Sequence, residues 1–161
     1  MSLLYQKILS SPLGNLFAVA SETGIRELKF INSGDNSFVS SSNFHLDLLE
    51  QELVSYFSKK TKVFTVALDP QGTEFQKSVW KNLIEIPFGK FRSYKEQSLS
   101  MDQPLAIRAI AAANGKNPIA VVIPCHRVIG TNGSLTGYSG GLGKKKWLLQ
   151  HEGILQSVEL F

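Results

Sequence analysis

The sequence predicts an α+β protein. A small antiparallel sheet with one helix comes first. A mostly helical C-terminal part follows, with a helix-turn-helix and a short strand carrying Pro124-Cys125-His126-Arg127. Three observations lead there. Residues 3–31 alternate apolar and polar, with turn signals at two places. From Thr73 onward the apolar spacing turns helical and capping signals appear. Between these textures Asp69-Pro70-Gln71-Gly72 breaks the chain, so the predicted domains are residues 1–71 and 72–161.

In the first domain, Leu4, Gln6 and Ile8 begin a strand, and Ser11-Pro12-Leu13-Gly14-Asn15 turns it. Leu16–Ala20 is a second strand, Glu22-Thr23-Gly24 a second turn, and residues 25–31 a third strand, giving a meander. Residues 32–43 form a polar Ser/Asn/Gly loop. The spacing of Leu46, Leu49, Leu53 and Phe57 predicts an amphipathic helix over 45–56. Lys59, Lys60 and Lys62 would meet its negative dipole end. Residues 63–68 are expected to be one more strand.

The second domain opens on a helix whose buried stripe is Phe75, Val79, Trp80, Leu83 and Ile86. Thr73 and Gln76 stand in capping-box spacing before it. Ser93 and Glu96 repeat that spacing before the next helix. A turn at Met101-Asp102-Gln103-Pro104 leads into a third helix over 105–113, ended by Asn114-Gly115. Two short helices on a tight turn make a helix-turn-helix. The second is rich in alanine and therefore thin, which suits close approach to a groove or to another helix. Residues 119–123 read as a buried strand, Leu135 to Gly143 as a glycine-dense loop, and residues 144–150 as a last helix with Trp147 and Leu148 inward.

Composition narrows the function. At 161 residues, with 43% hydrophobic and 19% charged residues, the chain fits a globular protein with a real core. Its apolar runs are too short to cross a bilayer. Neither a signal peptide nor a disulfide is expected, so the expected compartment is the cytoplasm. Cys125, His45, His126 and His151 lack ligand spacing, so no metal is expected. The net charge of +4 is uneven. Residues 1–71 hold six Lys/Arg against seven Asp/Glu, and residues 72–161 hold eleven against six. The basic excess lies in the half that holds Cys125, as for a polyanion partner.

Cys125 is the only cysteine of the chain. It follows Pro124, which stiffens the backbone, and precedes His126 and Arg127, which favour a thiolate. That combination points to a nucleophile; a lone cysteine is otherwise a small buried hydrophobe.

Pro124-Cys125-His126-Arg127-Val128, with Asn117-Pro118 before and Gly137-Tyr138-Ser139-Gly140-Gly141 after, resembles the methylated-DNA–protein-cysteine methyltransferases, the O6-alkylguanine-DNA alkyltransferases. The likeness runs from about Gly72 to Gly153. It takes in Phe75-Gln76, Val79-Trp80, Ile86-Pro87, Gly89, Ser93-Tyr94, Arg108-Ala109, Asn114-Gly115 and His151-Glu152-Gly153. Residues 1–71 match only in kind, as the ribonuclease H-like N-terminal domain of the family.

The resemblance implies roles. Cys125 would take the alkyl group by in-line displacement, in one irreversible transfer per molecule without a cofactor. His126 would accept the thiol proton through a water, and Glu152 would orient it. Asn117 would hold the turn bearing the cysteine. Tyr94 would donate toward N3 of the leaving guanine. Tyr138, Gly137, Ser139 and Val128 would form the base site. Arg108 would enter the stack where the flipped base had been. Ala109, Ala111, Ala112, Ser93, Tyr94 and Arg127 would join it at the DNA. The implied partner is double-stranded DNA carrying O6-alkylguanine, bound through its minor groove by a monomer; O4-alkylthymine is a further candidate lesion. Two departures stand out. Gln97-Ser98 replaces an apolar residue and Ala, which is expected to loosen that helix. Ala111 replaces a common Gly, which adds a methyl near the groove. The alternatives are a helix-turn-helix regulator, a cysteine hydrolase and a non-transferring lesion-binding relative.

Overall fold

The computed structural model describes residues 3–32 and 38–155. The chain divides into two compact units. One comprises the described residues up to Gln71 together with Pro118–Ala120; the other comprises Gly72–Asn117 and the described residues from Val121 on.

The first unit is built on the antiparallel meander β1 (Tyr5–Leu9), β2 (Leu16–Ala20) and β3 (Ile25–Phe30), in the order β1-β2-β3. The register pairs Leu9 with Leu16 and Leu16 with Phe30, and a bulge sits between Val19 and Ala20. Helix α1 (Phe44–Phe57) contributes Leu46, Leu49, Leu53 and Tyr56 to the core, where they join Leu9, Leu16, Ala18, Ile25 and Leu28. Asn43 caps α1 by accepting from the Leu46 N–H. Lys59, Lys60 and Lys62 follow α1 rather than standing in its last turn, where Ser58 Oγ donates to the Val54 carbonyl. Of the polar loop, residues 33–37 lie outside the described residues.

The strand expected over 63–68 does not form. The Thr65 and Val66 N–H groups donate to the Glu52 carboxylate, both at 3.0 Å. Only Leu68 bridges the sheet, beside Ile25. Gly24 permits this approach, since a Cβ there would lie 2.7 Å from the Ala67 carbonyl oxygen.

The second unit starts with α2 (Glu74–Ile84), whose capping box is formed by Thr73 and Gln76. Trp80 is buried and its Nε1–H donates to the Ala113 carbonyl at 2.8 Å, tying α2 to the later helix that carries Ala113. The two-residue strands β4 (Arg92–Ser93) and β5 (Val128–Ile129) pair in parallel, Arg92 with Val128 and Ser93 with Ile129. Ser93 then caps α3 (Tyr94–Ser100) through a second complete capping box with Glu96. Helix α4 (Ile107–Gly115) starts two residues later than expected and includes Asn114 and Gly115, the expected stop. Helix α5 (Leu142–His151) closes the unit, with Leu148 buried and Trp147 half-buried against the His151 ring.

Residues 119–123 are not a strand. Only Ile119 bridges, to Leu28, and the chain then turns with Val121 at φ 71°. No helix among the described residues is long and apolar enough to cross a membrane.

Candidate active site

The chain around Cys125 is held by three short-range devices. Pro124 (φ −83°, ψ 62°) adopts an inverse γ-turn, closed by the Cys125 N–H to the Ile123 carbonyl at 2.8 Å. Asn117 Nδ2 donates to the same carbonyl at 2.8 Å and approaches Cys125 Sγ at 3.2 Å. Cys125–Arg127 then form one 3₁₀ turn leading directly into the short strand β5. Three residues per turn send successive side chains about 120° apart. Cys125 is therefore half-buried at a cavity wall, while His126 and Arg127 point into the protein.

The inward pair meets Glu152, which follows α5. His126 Nε2–H donates to Glu152 Oε2 at 2.8 Å. Arg127 Nε donates to Oε1 at 2.7 Å and its Nη2 to Oε2 at 2.9 Å. Arg127 Nη1 donates to the Ile86 carbonyl at 2.6 Å, and the Gly89 N–H adds a longer bond to Oε1. Burial alone would raise the Glu152 carboxyl. The hydrogen bonds from His126 and Arg127 outweigh it and hold the group below the usual carboxylate range. Burial lowers the His126 pKa against the pull of Glu152, so the ring is neutral. A carboxylate only accepts, so the ring proton sits on Nε2 and Nδ1 keeps its lone pair. That Nδ1 is buried and has no hydrogen-bond partner among the described residues. The site thus contains an oriented, neutral base.

Burial pushes the Cys125 thiol above its ordinary value; Asn117 and Lys145 offset this only in part. The resting sulfur is a thiol.

A cavity of about 390 Å³ opens in front of the sulfur. Its wall comprises Tyr94, Ile107, Arg108, Ala111, Asn114, Gly115 and Cys125, together with Thr136, Gly137, Tyr138 and Ser139 of the glycine-dense loop. The Tyr94 hydroxyl donates to the Thr136 carbonyl at 3.2 Å. The Tyr138 hydroxyl is buried without a partner among the described residues, and burial raises its pKa well above the usual value. On α4, Arg108, Ala109 and Ala112 are exposed and Ala111 is half-buried.

Three expected placements change. Arg127 was expected at a DNA surface, but it is 6% exposed and its guanidinium is engaged by Glu152 and Ile86. Ser93, expected there too, is buried at the α3 N-cap with its hydroxyl taken by the Glu96 N–H. Val128 is fully buried and off the cavity wall, and its carbonyl accepts from Lys145.

Lys145 escaped the sequence reading. It is 0% exposed, and its Nζ donates to the Val128 carbonyl at 2.7 Å and the Thr136 carbonyl at 2.8 Å. It fastens the loop that walls the cavity to the strand that follows the cysteine. Burial lowers its pKa to about 8, against the opposing pull of Cys125. The signal was present: Lys145, Leu148, Leu149 and Glu152 follow the i, i+3, i+4, i+7 pattern of a buried stripe.

Two family descriptions match the chain. Residues 4–70 match the ribonuclease-like domain of 6-O-methylguanine DNA methyltransferase, and residues 74–154 match its DNA-binding domain. A methylated-DNA–protein-cysteine methyltransferase from Methanosarcina barkeri is 44% identical over 154 residues, covering 92% of this chain and 97% of the relative. The crystal structure of Mycobacterium tuberculosis O6-methylguanine methyltransferase superposes with a TM-score of 0.83 at 35% identity, covering 97% of each chain. A second Mycobacterium tuberculosis structure, of OGT in complex with DNA, gives 0.82 at 36% identity, covering 95% of this chain and 96% of the other. A free cysteine at a cavity, an oriented histidine behind it and matches over both domains lead to one assignment: the chain belongs to the methylated-DNA–protein-cysteine methyltransferase family.

Proposed function

We propose that this protein repairs DNA by direct reversal, moving the alkyl group from O6 of guanine in a duplex to Cys125, once per molecule. One observation carries the reading. Cys125 Sγ stands at the wall of a base-sized cavity whose rim includes Arg108 of an exposed, alanine-thin helix face. Thin side chains let that helix lie close in a minor groove. Chemistry on a base inside a duplex requires flipping it out, at a few kcal/mol. Arg108, exposed at the rim, is the residue that fills the gap left in the stack on this reading.

The step balances without a cofactor. The thiol proton passes through a water to His126 Nδ1, whose lone pair the Nε2–Glu152 bond keeps available. The sulfur attacks the alkyl carbon, an S–C bond forms and the C–O bond to guanine breaks. Negative charge develops on the leaving purine, and Tyr94 is the donor that stabilises it once its hydroxyl leaves the Thr136 carbonyl. Lys145 then remains as that carbonyl's donor. Asn117 steadies the sulfur, Tyr138 walls the base, and the Gly137–Ser139 backbone meets its edge. A thioether has no route to hydrolysis here, so the reaction stops after one transfer. We place the protein, as a monomer, in the cytoplasm at the nucleoid.

The test is an intact mass after incubation with an O6-methylguanine duplex. A gain of one methyl in exchange for one proton, located on Cys125 and capped at one per chain, is expected. Binding without a mass change would instead fit a regulator or a non-transferring lesion binder. Cys125→Ala should abolish transfer and keep DNA binding; loss of both would contradict the assignment of roles.

A further inference from the structure

Gln97 and Asn114 form a closed amide pair between the two helices of the helix-turn-helix. Gln97, on α3, is completely buried, and Asn114, on α4, is nearly so. Gln97 Nε2 donates to Asn114 Oδ1 at 2.9 Å, and Asn114 Nδ2 donates back to Gln97 Oε1 at 2.8 Å. Ser98, beside it, is also buried and donates to the Lys95 carbonyl. The departure at Gln97-Ser98 therefore does not loosen α3; it replaces apolar contact with directional bonds.

The two helices are anchored differently. Helix α3 follows β4, which pairs with β5 just past the cysteine, so Tyr94 is tied to the reactive segment. Helix α4 is tied to α2, through Trp80 and the Ala113 carbonyl. Asn114 belongs both to the amide pair and to the cavity wall, six residues after Arg108 on the same helix. Apolar contact is non-directional and tolerates sliding, whereas a buried polar pair is satisfied in one register only.

Resting on the transfer reading above, we infer that Gln97 is a positioning residue for the duplex reaction: paired to Asn114, it fixes α4, and with it Arg108, in register with the cavity that holds Cys125. Gln97 touches neither the cavity nor the sulfur. A free base needs no stack-filling arginine, so reaction with it depends far less on where α4 lies.

Gln97→Met keeps length and volume but cannot form the pair. Transfer is timed for the parent and this variant with an O6-methylguanine duplex and with free O6-benzylguanine, beside a melting curve. The duplex rate should fall about tenfold, because small misplacements are costly in rate, while the free-base rate stays within about twofold. A duplex rate equal to the parent's overturns the inference. So do equal falls on both substrates, which would mark general loosening. Should that variant not fold, Gln97→Asn, one methylene too short to close both bonds, takes its place under the same outcomes. A parent that reacts with neither substrate overturns the transfer reading itself, and this role with it.

Discussion

The two units bury different things. The first has an almost purely apolar core, and its ion pairs stay near water: Lys7 with Asp47 and Glu50, and Arg26 with Asp69. The second encloses His126, Arg127, Lys145 and Glu152, with the Gln97–Asn114 pair besides. Buried charges are a poor source of stability, since desolvation offsets much of their attraction. On the proposed transfer they serve the chemistry of the cysteine they stand behind. In the first unit polar groups decorate a core; in the second they are part of it.

Glu152→Gln breaks this comparison hardest. It keeps the shape but leaves Arg127 buried without its counter-charge and turns an acceptor-only group into one that also donates. Removing one partner of such a pair costs about 3–5 kcal/mol. Transfer should also fall sharply, since His126 loses its orientation. The counterpart in the first unit is Asp69→Asn, which removes the counter-charge of Arg26 and one of the two acceptor oxygens, so that Oδ2 can no longer serve both Arg26 and Ser21. Both Arg26 and Asp69 side chains are about a quarter exposed, and about 1 kcal/mol is expected. Urea denaturation of both variants checks this ordering; equal losses would erase the distinction between the units.

Acid sharpens the same contrast. The Glu152 pKa is lower in the folded protein than its ordinary 4.5, so in acid the unfolded chain binds more protons. Its stabilisation is fully present above that ordinary value and is lost as pH falls through the folded one. Asp69 is also lowered, chiefly by the Ser21 hydrogen bond, and adds to this acid sensitivity. The melting temperature of the parent should fall more between pH 7 and pH 3 than that of Glu152→Gln. An equal fall in both proteins would mean that Glu152 carries no such linkage.

The legible parts of the chain were those whose signal is local. Thr73 with Gln76 and Ser93 with Glu96 form their capping boxes because the partners are three residues apart. The illegible parts depend on distant groups. Residues 63–68 and 119–123 have strand-like composition, but Glu52 claims the Thr65 and Val66 N–H groups and Asn117 claims the Ile123 carbonyl. Strand propensity describes fit to a half-buried pleated surface, and neither segment is offered one along its length. At the site, the neighbours Cys125 and His126 were visible as chemistry. That Arg127 turns inward follows from a 3₁₀ turn that no periodicity announces. The burial of Lys145 and the pairing of Gln97 with Asn114 are not legible because long polar side chains are ordinarily solvated.

The helix caps supply the finest comparison. Asn43 caps α1 in the first unit and Ser93 caps α3 in the second, each accepting from a backbone N–H at 3.0 Å. Losing either cap bond should cost about 1 kcal/mol, and Asn43→Ala also loses the Nδ2 bond to the Ser21 carbonyl. The consequences for transfer should differ. Helix α1 carries none of the cavity residues, whereas α3 begins with Tyr94, whose hydroxyl donates to the leaving base in the proposed mechanism. Fraying of the first α3 turn moves that hydroxyl directly. Asn43→Ala should therefore leave the transfer rate unchanged, and Ser93→Ala should slow it several-fold at a temperature where both variants remain folded. If the two rates match, the Tyr94 hydroxyl is held by the Thr136 and Lys145 side of the cavity rather than by its own helix.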